Sequence, residues 1–125
     1  MPKLSRSRNH NTDGKAAEQI AAEFLQDQGL VLVARNFRVR GGEVDLICRD
    51  GPTLVFVEVR LRRHDGYGGA LESITYRKQQ KVIMAARHYL VRLGRDYPCR
   101  FDCVLLSDLS WRTLEWIRDA FAPED

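Results

Sequence analysis

The alternation of apolar and polar positions divides the chain into seven segments. Residues 14–28 set Ala17, Ile20, Ala21, Phe24 and Leu25 at helical spacing. A first helix with one apolar face is expected there, capped by Asn11, Thr12 or Asp13 and stopped by Gly29. Residues 30–34 (continuing toward 37), 44–48 and 53–59 are strand-like runs separated by Gly41-Gly42 and by Asp50-Gly51-Pro52. They predict an antiparallel meander. Residues 75–93 carry a second helical stripe, Val82, Ala86, Tyr89 and Leu93 with Ile83 and Leu90 beside it, and Gly94 ends it. Residues 100–106 and 114–118 predict a fourth strand and a short fifth. A helix between the third and fourth strands acts as a crossover, which makes that pair parallel. The expected class is α/β: one domain over residues 14–125, with a mixed central sheet in the order α-β-β-β-α-β-β flanked by helices. Residues 1–13 are expected to form a basic, flexible tail.

Composition narrows the picture. A chain of 125 residues, 44% hydrophobic and 30% charged, is long enough to bury one core without disulfide or metal staples. No apolar run approaches the roughly 18 residues that a membrane span needs. The first fifteen residues lack the apolar stretch of a secretory signal. Cys48, Cys99 and Cys103 are odd in number and form no Cys-x-x-Cys pair, which argues against a disulfide framework and a structural zinc site. Cys48 and Cys103 lie in apolar strand-like runs, where an inert buried thiol is expected. A reducing, cytoplasmic setting follows as the expectation. Net charge is only +3, but its distribution is uneven: residues 60–100 carry ten basic and three acidic side chains. That segment could hold a polyanion, or simply present a solvated helix face.

The segment most suggestive of chemistry is Gly42-Glu43-Val44-Asp45-Leu46-Ile47 followed by Phe56-Val57-Glu58-Val59-Arg60. If the hairpin pairs with an index sum of 101 or 103, Asp45 and Glu58 share one face, roughly 5–8 Å apart at Cβ. Arg60, two residues on, shares it too. Neighbouring like charges repel, and burial adds to the cost. A hard divalent cation would relieve them, since Mg²⁺ takes oxygen ligands and often only one or two carboxylates. Ion pairing with Arg38, Arg60 or Arg62 would relieve them as well. Glu18 borders the apolar stripe of the first helix and could reach the edge of this acidic pair.

Beyond these two segments, Gly14-x-x-Ala17-Glu18, Arg35-Asn36-Phe37-Arg38, Arg62, Tyr67-Gly68, Lys78-x-x-Lys81 and Arg100-Phe101-Asp102 complete a pattern over residues 14–121. In that pattern the chain resembles the YraN-type family of small bacterial proteins. That family is in turn similar to the restriction-endonuclease-like superfamily, especially archaeal Holliday-junction resolvases. The resemblance implies an endonuclease-like fold, with Glu18 as the helix acid, Asp45 as principal metal ligand and Glu58 as the second. It implies cleavage of phosphodiester bonds dependent on Mg²⁺ or Mn²⁺, at DNA ends, flaps or junctions, and by analogy a homodimer. Arg60, Arg62, Arg63, Tyr67, Lys78 and Lys81 would contact nucleic acid. One position departs from the pattern: Arg60 stands where such sites carry the lysine of Glu-x-Lys. Arginine remains charged and cannot act as a base, although it can hold a phosphate bidentately. Lys78, near the start of the second helix, is the best substitute. The same fold could instead bind nucleic acid without cutting it. A protein-binding adaptor would expose the apolar stretch from Trp111 to Phe121. Otherwise Trp111 and Trp116 are expected to pack, His64 and His88 to lie on the surface, and Asp102 to pair with an arginine of the basic segment.

Overall fold

The computed structural model describes residues 10–62 and 74–124. Five strands make one sheet whose spatial order is the chain order: β1 (Val31–Val39), β2 (Gly42–Asp50), β3 (Thr53–Leu61), β4 (Cys99–Leu106) and β5 (Glu115–Phe121). Helix α1 (His10–Asp27) precedes the sheet, α2 (Tyr76–Leu93) joins β3 to β4, and a 3-10 turn (Trp111–Thr113) leads into β5. β3 and β4 are parallel and the other neighbours antiparallel. The parallel pair is the one spanned by the helical crossover, as the sequence predicts.

Boundaries differ where a local signal is weak. α1 starts at His10, four residues before Gly14, because a glycine costs a helix only about 1 kcal/mol and does not end it. The expected capping residues 11–13 therefore lie inside the helix, and Asp13 is buried in its first turn. The start of α2 is as expected. Thr75 Oγ1 accepts the Lys78 N–H at 3.1 Å, and Gly94 closes the helix at φ 76°. Its buried face follows the expected stripe as far as Leu90, with Tyr89 and Leu90 partly buried against the same core. Val82, Ile83, Ala85 and Ala86 are buried, whereas Leu93 is exposed.

Each helix covers a different part of the sheet. Ala17, Ala21, Ala22 and Leu25 of α1 pack on Leu46, Cys48, Val55, Val57, Val104 and Leu106. Val82, Ile83, Ala85 and Ala86 of α2 pack on Val44, Ile47, Leu54, Phe56 and Phe101. Two adjacent glycines start β2 and do different work. Gly41, at φ 82°, makes the turn. Gly42 lets α2 lie directly on the strand, since a Cβ there would sit 2.8 Å from Ala85 N and Lys81 O. We expect Gly42→Ala to cost about 1–3 kcal/mol by overpacking, measured by urea denaturation.

The third feature of the sheet is a buried polar network at its β4–β5 edge. Asp102, fully buried, accepts from Arg100 Nε (3.0 Å), Trp116 Nε1 (3.0 Å) and Asp119 N (2.9 Å), and Arg100 reaches on to Asp50 at 2.9 Å. The arginine expected for Asp102 is therefore Arg100. Trp116 also packs edge-on against Phe24. Trp111 does not pack as expected. It is 61% exposed, with the Arg112 guanidinium 5.2 Å from its ring centre. Burial holds the Cys48 thiol up at about 11 and that of Cys103 at about 12, so both stay protonated and inert at neutral pH.

Candidate metal and phosphate site

The hairpin of β2 and β3 pairs with an index sum of 103, through Leu46↔Val57 and Ile47↔Phe56. Continued by one step, that register sets Asp45 opposite Glu58. The backbone ladder ends there, and the Asp45 carboxylate takes the next donor, the Val59 N–H, at 2.8 Å. Glu58 is 2% exposed, and its Oε1 meets no hydrogen-bond donor. Its other oxygen lies 3.5 Å from Lys78 Nζ.

Two elements outside the hairpin complete the site. α1 brings Glu18, half-buried, to Asp45 and to the Asn36 side chain. α2 brings Lys78, whose ammonium holds Glu43 at 2.6 Å as well as approaching Glu58. Burial, and then the Asp45 charge, push the Glu58 carboxyl up to about 8 and that of Glu18 up to about 7. Lys78 draws Glu43 below the usual carboxylate range through a hydrogen bond. Asp45 is thus the shared neighbour of two acids held above their ordinary range, with Lys78 beside Glu58 and the Arg38 charge acting on Glu18.

Among the described residues no three acidic, histidine or cysteine side chains converge as a ready ligand set for a metal ion. The acids meet in pairs through Asp45. Two observations nevertheless fit a hard cation at Asp45 and Glu58. The donors are all oxygen, and one buried carboxylate oxygen, Glu58 Oε1, has no hydrogen-bond partner. Arginines also act on these acids, as the alternative expected: the Arg38 charge opposes the rise of Glu18. Arg38 lies 3.9 Å from Glu43, and the Arg60 charge acts on Glu58 as a weaker influence than that of Lys78.

The basic residues gather beside the acids. Arg60, Thr75, Arg77, Lys78 and Lys81 line a hollow of about 140 Å³ at the start of α2. Arg38, Gly42, Glu43 and Lys81 line a second one of about 250 Å³. Arg62 follows β3, with its N–H on Leu106 O at 2.7 Å. Arg63 and Tyr67, both expected to touch nucleic acid, lie outside the described residues, as does His64. His88 is exposed, as expected. Sequence reading singled out Glu18, Asp45, Glu58, Arg60, Lys78 and Lys81, and the fold brings all six to this region. It missed Glu43, Asn36 and the close approach at Gly42. An acid next to Gly-Gly and an asparagine inside a strand were the available signals. A further hollow, about 530 Å³, lies elsewhere, between Phe24, Asp27 and Trp111.

Comparison with known proteins agrees with the motif pattern. Residues 17–106 match the model of Uncharacterised protein family UPF0102. A UPF0102 protein of Nitrosospira multiformis is 57% identical over 108 residues, which cover 86% of this chain and 91% of that protein. One of Nitrosomonas eutropha is 52% identical over 118 residues, 94% of this chain and 97% of the relative. One of Pseudomonas putida is 52% identical over 112 residues, 86% and 90% of the two chains. With the family model over most of its length and relatives above half identity from end to end of the fold, the chain belongs to the UPF0102 family.

Proposed function

We propose that this protein is a restriction-endonuclease-like nuclease that hydrolyses phosphodiester bonds in DNA with Mg²⁺ or Mn²⁺. The observation that carries the reading is the Glu58 oxygen, buried beside Asp45 with no donor of its own. Asp45 and Glu58 would hold the cation, which when bound neutralises phosphoryl-oxygen charge and makes water a better nucleophile. The chain's own residues supply the rest. Asp45 is fixed in place by the Val59 N–H. Glu18 braces Asp45 from α1. Arg60 and Lys81 face the hollow beside the acids and suit a phosphate, Arg60 by its fork of donors. Lys78 enters from a helix, where resolvase-like sites carry their lysine on the strand. From there its ammonium can turn from Glu43 to a phosphate or a water. Long duplex or junction DNA would lie along the start of α2, and a two-fold dimer would offer a junction two such sites.

A second reading, binding without cutting, has one observation in its favour. Arg60 replaces the strand lysine, and Lys78 is already held at 2.6 Å by Glu43. Single-stranded, duplex, flap and four-way-junction DNA incubated with the protein in Mn²⁺ or Mg²⁺ separate the two. Cleavage that stops with chelator and in Lys78→Ala supports the nuclease. Intact DNA, bound with an affinity that falls steeply with salt, would replace it by the binding module.

A further inference from the structure

β1 and β2 change sides of the sheet together, at one pair of opposed residues. On one side of that point Arg35 pairs with Leu46, and both turn toward α1. Arg35 Nη1 bonds Gln19 at 3.0 Å, and Leu46 packs with Ala17 and Ala21. On the other side Phe37 pairs with Val44, and both turn toward α2. Phe37 stands edge-on to Tyr89 at 5.2 Å, and Val44 packs with Val82 and Ile83. A regular strand would keep residues two apart on one face. Between these two pairs lie Asn36 and Asp45, opposite one another. Asn36 has φ 50°, one of two non-glycine residues in the left-handed region among the described residues. Such a backbone inside a strand costs energy and persists only where the surroundings impose it. Its side chain bonds the Glu18 carboxylate.

We propose that Asn36 is the positioning residue of the acidic site, its left-handed backbone turning Asp45 into the gap between the two faces while its amide holds Glu18 beside it. This rests on the metal-site reading above and adds how that site is assembled. Without the switch, Asp45 would lie wholly on one side of the sheet. Glu18 from the α1 side and Glu58 from the α2 side could not both reach it. Asparagine serves both needs, since it tolerates the left-handed region and carries an amide donor.

Two substitutions separate backbone from side chain. Asn36→Gly keeps the left-handed backbone and removes the amide. It should leave the melting temperature within a few degrees and weaken Mn²⁺ binding, titrated by calorimetry, by about tenfold, the low end of the loss for a ligand's partner, because the amide acts on Asp45 through Glu18. Asn36→Val opposes the left-handed backbone and should lower both. Wild-type Mn²⁺ affinity in Asn36→Gly would overturn the proposal. A metal-free measurement guards against failure of the underlying reading. The Asn36 side-chain amide protons should be slow to exchange by NMR, and their signals should move in Glu18→Ala. If wild-type protein binds no Mn²⁺, the metal reading falls and the amide decides the positioning role: shifted signals sustain it, unmoved signals end it.

Discussion

Asp45→Asn will weaken Mn²⁺ binding by about a hundred-fold or more, yet leave the metal-free protein more stable at neutral pH. The affinity loss follows because partners one shell out already cost 10–100-fold, and Asp45 would be a ligand itself. The gain in stability follows from the same position. Burial raises both Glu18 and Glu58 most, and the Asp45 charge is the next cause. Its neutral analogue removes the charge part of that cost from both and still accepts the Val59 N–H. Asp45→Ala removes that acceptor too, so an unpaired N–H costing about 1–3 kcal/mol cancels the relief. Calorimetry and urea denaturation on both variants check this. Equal stability of the two would show that the Val59 bond contributes nothing. Unchanged Mn²⁺ affinity would remove Asp45 from the metal site.

The pH dependence of the metal-free protein has a defined sign. Glu18 and Glu58 bind protons more tightly folded, at about 7 and about 8, than their ordinary 4.5. Their contribution to stability is full below pH 4.5 and is lost as pH rises through 7 and 8. Denaturation midpoints should therefore fall from pH 5 to 8, and saturating Mn²⁺ should flatten the fall.

Asp102→Ala will destabilise the fold by about 3–5 kcal/mol, the range for breaking a buried charge pair from one side. Asp102 accepts from three residues on two strands, and each donor loses its partner at once. The half-buried Arg100 charge keeps only Asp50, and the Asp119 N–H sits on a residue at φ 54°. Asp102→Asn keeps an acceptor oxygen and should cost less than the alanine variant. The site lies at the β4–β5 edge, so metal affinity should be retained in whatever fraction remains folded. A loss below 1 kcal/mol by urea denaturation would show that water replaces the carboxylate.

Much of this protein was legible in its residues. Element order, the parallel β3–β4 pair and the α2 caps follow from local periodicity and turn chemistry, which need no partner to be read. The hairpin allowed two registers and the structure took the sum of 103, because Leu46 with Val57 and Cys48 with Val55 then meet under α1. Asp45 and Glu58 were visible as a pair, since two acids on neighbouring strands are separated by a countable turn. Glu18 and Lys78 could be nominated but not placed. What brings them to Asp45 is the packing of α1 and α2 on opposite faces, with Gly42 letting α2 approach. The role of Asn36 was invisible for a deeper reason. Period-two alternation predicts a strand that keeps its faces, and only the two-sided core makes β1 and β2 exchange theirs at one residue pair. The sequence by itself determined which elements form and which acids are available; the tertiary structure decided which groups meet, because contacts between distant segments depend on packing that no local pattern encodes.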